Sequence, residues 1–404
     1  MTKLSFNSAV LVAIAFGNSV NAHAQQSDQL HVAVGEARLF PRVTLTSLSN
    51  DNVLRNSDPV ISSSGFLVAP EALFKAERRG LDIQFGYEGL YGVYDENSLD
   101  FNNHLIFANA EAIFGVRRKL DISTSISKGH QSLGTGLTRR SAAVGDEQPE
   151  YVDGSIRGSF TYGAPTARFN VAGGIDISRR SYQNRVDVTD GLSYSELLPY
   201  GQLSYRLSAD ARALAQVRFG TYKFDDGNLD RKELQILTGL AFRGGRKLSG
   251  EVKLGIIQPD YADASREDSS ILTVDTALSY RPSSLSIFGL RVERQLSNEG
   301  SLNQANNGSQ NIDDTVSMSW RREWSGFIST NALITIDLEE GGCPVDRSDT
   351  VNATLDVGFK ARRWLILGLG VESTNYTESQ CDSAFVDEND YELVELKAFV
   401  TLTL

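Results

Sequence analysis

Residues 81–94 read LDIQFGYEGLYGVY. Leu81, Ile83, Phe85, Tyr87, Gly89, Tyr91 and Val93 hold the odd positions, and Asp82, Gln84, Gly86, Glu88, Leu90, Gly92 and Tyr94 the even ones. Successive side chains of a strand point to opposite faces, so a period of two makes one face apolar and the other largely polar. Strands in soluble sheets are mostly about five or six residues long. One this long, split so cleanly, fits a membrane-crossing strand of about 9–11 residues with its flanks.

The alternation recurs at Phe169–Ile177, Ala211–Phe219, Val351–Phe359 and Val394–Leu404. Segments of this kind predict strands near 40–49, 63–76, 81–94, 102–115, 120–129, 151–162, 167–180, 194–206, 211–223, 232–242, 248–259, 270–280, 285–296, 313–322, 326–337, 350–361, 364–376 and 391–404. The expected fold is therefore all-β, a transmembrane antiparallel up-and-down barrel of about eighteen strands. Sixteen is the alternative if 40–49 and 120–129 do not form. An even count brings both chain ends to one side, as in bacterial single-chain barrels.

Composition agrees. The 404 residues hold 35 glycines and 14 tyrosines but only 9 prolines, a β-leaning mixture too aromatic for a disordered chain. No run of about 20 apolar residues exists, which excludes a helical membrane protein. A net charge of −12 argues against a nucleic-acid partner, which needs a basic face.

The connections are sorted. Short ones such as AERRGL, VRRKL, GAPTAR, LSADAR, RGGRKL, RPSSL, RREWSG and ARRWL alternate with long ones at 50–62, 95–101, 130–150, 181–193, 224–231, 260–269, 297–312, 338–349 and 377–390. Outer-membrane barrels keep short turns on the periplasmic side and longer loops outside, so the long set is assigned outward. Many short turns carry arginine or lysine, and the long loops carry most of the acids. Phe114, Tyr162, Tyr205, Phe242, Tyr280, Trp320 and Phe359 fall just before short turns, where an interfacial aromatic girdle belongs.

The first 24 residues read as a secretory signal: Lys3, the apolar stretch 9–16, and an A-x-A site at Ala22 and Ala24. A short periplasmic segment, 25–39, would precede a barrel over 40–404. Export permits disulfides, and Cys343 and Cys381 lie in consecutive outside loops flanking one hairpin, where a bridge would staple both loops. The localisation expected is the outer membrane of a Gram-negative bacterium. The partners expected are its lipid and lipopolysaccharide and the barrel-insertion machinery, although the last residue is Leu404 rather than an aromatic.

If the apolar face meets lipid, the other face lines the lumen. That places Asp82, Glu88, Glu111, Arg157, Arg168, Asp176, Arg180, Arg212 and Arg218 inside, followed by Glu251, Lys253, Arg291, Glu293, Asp356, Lys360, Glu372, Glu395 and Lys397. Such charges either pair across strands or offer polar solutes repeated weak contacts. The lumen is open, or plugged by an inward loop such as 130–150 or 297–312. After cleavage only His31, His104 and His130 remain, with no zinc-protease or nucleophile-elbow motif. Neither an enzyme nor a metal or cofactor site is expected, and Gly368 and Gly370 read as close packing within a strand.

The opening RVTLTSLSNDNVLRNSD and the stretch LVAPEALFKAERRGLDIQFGYEGLYGVYDENSLDFNNH resemble the β-barrel porin type 2 family. The resemblance lies in Asn52-Val53, Pro70, Tyr87, Tyr91, Tyr94 and Asn102-Asn103, and is concentrated in 40–115. It implies a channel associated with export of an extracellular or capsular polysaccharide, with secretion components as further partners. The alternatives are a general or sugar-uptake diffusion porin and a non-transporting surface or adhesive barrel.

Overall fold

A computed structural model describes residues 30–138, 143, 145–244, 247–264, 268–296, 312–340, 345–380 and 390–403. The signal site at Ala22 and Ala24, Cys343 and Cys381, Leu404 and loop 297–311 lie outside the described residues.

A short strand β1 (Val32–Val34) precedes β2 (Ala37–Asn50), β3 (Ser63–Arg78), β4 (Leu81–Tyr94), β5 (Phe101–Phe114), β6 (Arg118–His130) and β7 (Glu150–Tyr162). Then come β8 (Phe169–Tyr182), the one-turn helix α1 (Val186–Thr189), β9 (Tyr194–Arg206), β10 (Ala211–Phe224), β11 (Arg231–Gly244) and β12 (Leu248–Tyr261). The chain continues through β13 (Ile271–Ser283), β14 (Ser286–Leu296), β15 (Ile312–Glu323), β16 (Ile328–Glu340), β17 (Val345–Arg362), β18 (Leu365–Gln380) and β19 (Tyr391–Thr403). Each strand from β2 onward pairs antiparallel with its successor, and β19 closes on β2 from Glu395 opposite Asn50 to Thr403 opposite Arg42. Closure leaves eighteen strands without an edge, which membrane burial of the backbone requires. Both 40–49 and 120–129 form strands, so eighteen, not sixteen, is the count.

The side-chain pattern is inverted relative to a soluble fold. On β8, exposed Phe169, Val171, Ile175 and Ile177 alternate with partly buried Asn170, Ala172, Asp176 and Ser178. Large apolar side chains ring the outer surface, among them Phe66 at 65%, Leu272 at 73% and Leu369 at 67% exposure. Contiguous apolar surface on this scale is foreign to monomeric soluble proteins and suits a hydrocarbon solvent. Near the short turns Phe114, Tyr162, Tyr205, Tyr280 and Phe359 are exposed, and Tyr280, Phe288, Trp320 and Trp324 form a chain of ring contacts at 6.1–6.2 Å. Of the seven aromatics placed there from sequence, Phe242 and Trp320 are only part-exposed.

Pro70 sits within β3 and faces outward. Without an N–H it cannot serve both neighbours, and the β3–β4 register passes from Val68 opposite Tyr91 directly to Glu71 opposite Glu88. Gly89 completes the spot, since a Cβ there would come within 2.7 Å of Tyr87 Oη and 3.2 Å of Pro70 Cγ.

Most strand ends shift slightly from the sequence reading, and three stretches differ more. Part of the segment 25–39 belongs to the sheet, with Val32–Val34 pairing against Ala37–Leu39. The expected loops 338–349 and 377–390 are shorter, because β16, β17 and β18 continue past the apolar zone with Glu339 opposite Ser348 and Asp349 opposite Thr377. Polar residues on both faces hide such extensions from a hydropathy pattern, while the backbone ladder simply goes on.

Candidate functional site

Inward parity brings charge together along the wall. At the closing seam, Lys397 Nζ lies 2.6 Å from Glu372 Oε2 and 2.9 Å from Glu395 Oε1. Those two carboxylates are directly opposite each other on β18 and β19, an unfavourable pair that the ammonium between them offsets. Asn50 Nδ2 on β2 donates to Glu395 (2.9 Å), and Asn352 Nδ2 on β17 donates to Glu372 (3.0 Å), so one network ties four strands. Gly370 stands beside it, where a Cβ would collide with Asp356 Oδ1, and Gly368 faces the Phe399 ring. Both glycines make room for packing.

A second cation, Lys253 on β12, contacts Glu251 at 2.8 Å and Asp275 at 2.7 Å. On β7 and β8 the pairs are reciprocal: Arg157 with Asp176 (2.9 Å), and Asp153 with Arg180 through two bonds of 2.9 and 3.0 Å. Arg180 also lies 4.3 Å over the Tyr151 ring. Arg291 and Glu293 pair within β14 at 2.9 Å. Glu111 shares Lys119 with Asp121 at 3.2 and 2.7 Å, and Asp82 sits opposite Glu111. Glu88 is opposite Glu71, whose carboxylate accepts from Arg42 Nε at 3.0 Å.

Arg168, Arg212, Arg218 and Lys360 stand apart from these pairs. Arg212 donates to the carbonyls of Pro165 and Ala167 (2.7 and 3.1 Å), and Arg218 Nε is buried without a hydrogen-bond partner. Arg168 is exposed beside the β7–β8 turn. Lys360 follows the outward Phe359 near the short-turn end of β17.

Sequence reading missed the partners: Arg42, Glu71, Lys119, Asp121, Asp153 and Asp275. Parity would have found them had it been carried through every strand. It also missed Arg231 and Glu233, paired at 2.6 Å at the mouth of β11, with Arg231 4.1 Å over Tyr222. Arg231 fell just before the expected strand start.

The long loops at one side of the mouth are packed. Val53, Leu54, Leu99 and Leu133 form one buried cluster, and Leu137, Val188, Leu192 and Leu229 a second. Five consecutive loops thus join, with the 131–149 loop common to both clusters. Asn52 Nδ2 donates to the carbonyls of Asn56 (2.9 Å) and Glu392 (3.2 Å), and Arg55 Nη1 to that of Leu133 (3.3 Å). Gly134, at φ +75°, lets this approach happen: a Cβ there would collide with the Leu54 carbonyl. In the next loop Arg185 holds Asp187 at 2.9 Å, and this hydrogen bond keeps the Asp187 carboxyl below its ordinary range.

The histidines do not converge. His104 bonds Tyr87 Oη at 3.0 Å, and His130 bonds Asn103 and stacks on Phe101 at 4.3 Å. His31 lies against Phe40 at 5.4 Å. Among the described residues no group of acids, histidines or cysteines has metal-holding geometry.

A closed barrel with an apolar exterior and a charge-laddered interior defines a porin-type β-barrel. The family described as "Putative beta-barrel porin 2" matches residues 28–391, and this chain belongs to it. No curated protein matches. Among solved structures the chain is similar to OpdL of Pseudomonas aeruginosa, at TM-score 0.44 and 10% identity, with 92% of this chain and 99% of that one covered. It is also similar to OccAB4 of Acinetobacter baumannii, at TM-score 0.46 and 9% identity, with 92% and 98% covered.

Proposed function

We propose that this chain is a passive channel in the outer membrane of a Gram-negative bacterium, through which small hydrophilic solutes diffuse. The observation that carries the reading is the inverted barrel: an apolar outer belt of bilayer scale around a wall of ion pairs and hydrogen-bonding side chains. Charges of both signs on that wall suit water and polar solutes and would be costly against lipid. The long-loop end faces out and the short-turn end faces the periplasm. The protein's task is transport, not catalysis.

The polysaccharide-export expectation rested on the family resemblance alone. The family match carries no polymer with it, and no feature of the wall favours export over uptake, so the diffusion-porin alternative is adopted.

The test is reconstitution of the full mature chain. Stepwise currents in planar bilayers are expected, together with swelling of proteoliposomes in arabinose, glucose and raffinose at rates that fall with sugar size. Currents and swelling no greater than in protein-free membranes would overturn the channel.

A further inference from the structure

Arg168, just before β8, and Arg206 and Arg212, the inward-parity residues of β9 and β10 nearest the short turns, lie next to one another. They form one row. The backbone N–H of Arg206 donates to the Arg168 carbonyl at 2.8 Å, and Arg206 is the register partner of Arg212. Like charges directly opposite across strands repel, and elsewhere on this wall an ion of opposite sign offsets such a clash. Here none does. Among the described residues, no carboxylate lies at ion-pair distance from any of the three. Their fixed partners are neutral: Arg206 donates to the carbonyls of Thr166 (2.8 Å) and Ser208 (3.0 Å), and Arg212 to those of Pro165 and Ala167 and to the Ser204 hydroxyl (3.4 Å).

Those carbonyls hold the Arg206 and Arg212 guanidiniums in place, and Arg168 is exposed beside them. Arg243 extends the positive strip on β11, exposed and one step nearer the turn. Deeper on the same wall, Arg218 Nε is buried and unpartnered. Guanidinium forks match the two oxygens of a carboxylate or the oxygens of a phosphate, and held in advance they bind at lower entropic cost. Nearby carboxylates of the wall are already engaged: Asp176 by Arg157 and Asp153 by Arg180.

We infer that the Arg168–Arg206–Arg212 row is a binding site for an oxyanion, a carboxylate or phosphate group, carried by a solute passing the periplasmic mouth. The site makes the channel prefer anions although the chain as a whole is acidic. This deepens the channel reading and rests on it for its purpose, but the site itself can be tested without ion flow.

The experiment compares the full mature chain with Arg168→Gln/Arg212→Gln and with Arg168→Lys/Arg212→Lys. The first readout is the reversal potential in a tenfold potassium chloride gradient. The second is broadening of the phosphorus resonance of inorganic phosphate by the protein in detergent. The wild-type chain is expected to be anion-selective and to broaden the phosphate line. The Gln pair is expected to lose at least half of the selectivity and most of the broadening, while the Lys pair, which keeps the charge but not the guanidinium fork, retains most of the selectivity and less of the broadening. Unchanged reversal potential and unchanged broadening in the Gln pair would overturn the site. Equal losses of selectivity in the Gln and Lys pairs would also overturn it, since charge would then not matter and the arginines would be turn braces only. A wild-type chain that passes no current but broadens phosphate in an Arg-dependent way would sink the channel and leave the site standing.

Discussion

Two parts of one wall use the same residue types to opposite ends. At the seam of β2, β17, β18 and β19, Lys397 sits between Glu372 and Glu395, and Asn50 and Asn352 take up their remaining oxygens. Across the start of β8 and the turn ends of β9 and β10, three arginines stand together with only neutral groups, backbone carbonyls and the Ser204 hydroxyl, as fixed partners. The first patch spends its charge on itself and fastens the closing strand. The second keeps its charge available. Inward polarity alone therefore does not mark a functional residue; the company it keeps decides.

The largest test of that contrast is Lys397→Met. It leaves two carboxylates opposed and is expected to cost about 3 kcal/mol, the scale for breaking a buried pair, seen as a lower thermal midpoint in the heat-modifiability shift. Adding Glu372→Gln and Glu395→Gln is expected to recover most of the loss. A triple variant no better than the single one would mean that Lys397 acts by packing rather than by charge.

Leu54→Ala asks whether the loop clusters belong to either patch. Leu54 is 1% exposed, and its truncation is expected to cost about 2 kcal/mol locally. Faster protease cleavage within 51–62 is expected, at an unchanged barrel midpoint. A barrel midpoint that falls in step would show that loops and wall unfold together.

A smaller effect is expected at the reciprocal pairs of β7 and β8. Arg157 is 44% exposed, so Arg157→Asp is expected to cost about 1 kcal/mol after solvent screening, and the swapped pair Arg157→Asp/Asp176→Arg to restore it. Failure of the swap would place the value of that pair in its hydrogen-bond geometry. In the arginine row, by contrast, Arg212→Gln is expected to shift the midpoint by less than about 1 kcal/mol while moving ion selectivity.

The smallest effect concerns Asp187, fully exposed in its loop. Its carboxyl titrates lower when folded, through the hydrogen bond from Arg185, so its contribution is present above the ordinary aspartate pKa and lost as pH falls through the lowered one. Asp187→Asn is therefore expected to match the wild-type protease resistance of the loop at acid pH and to fall slightly short of it at neutral pH. A deficit at acid pH alone would reverse the sign and refute the pairing.

The strand count, the turn-and-loop order and the inverted faces were legible because each is a local property. A period of two survives wherever one face meets hydrocarbon, and it reached β4 and β9 to the residue. It faded where both faces meet water, which is why the outer ends of β16, β17 and β18 read as loop. The packed loops were hidden for a related reason: Val53, Leu54, Leu99, Leu133 and Leu137 are scattered apolar residues in polar stretches with no period of their own.

By itself the sequence determined that this chain is an eighteen-stranded barrel and which face of each strand is apolar. Those follow from the pleat and from the demand that buried backbone be paired. Only the tertiary structure decided which inward charges neutralise one another. Pairing depends on register between strands far apart in sequence, as with Asn50 and Glu395, and that register is fixed only when the barrel closes. Pairing of neighbouring strands sets Lys397 between its two acids and closure adds Asn50, whereas the pairing of β8, β9 and β10 leaves Arg168, Arg206 and Arg212 side by side with no described carboxylate at ion-pair distance.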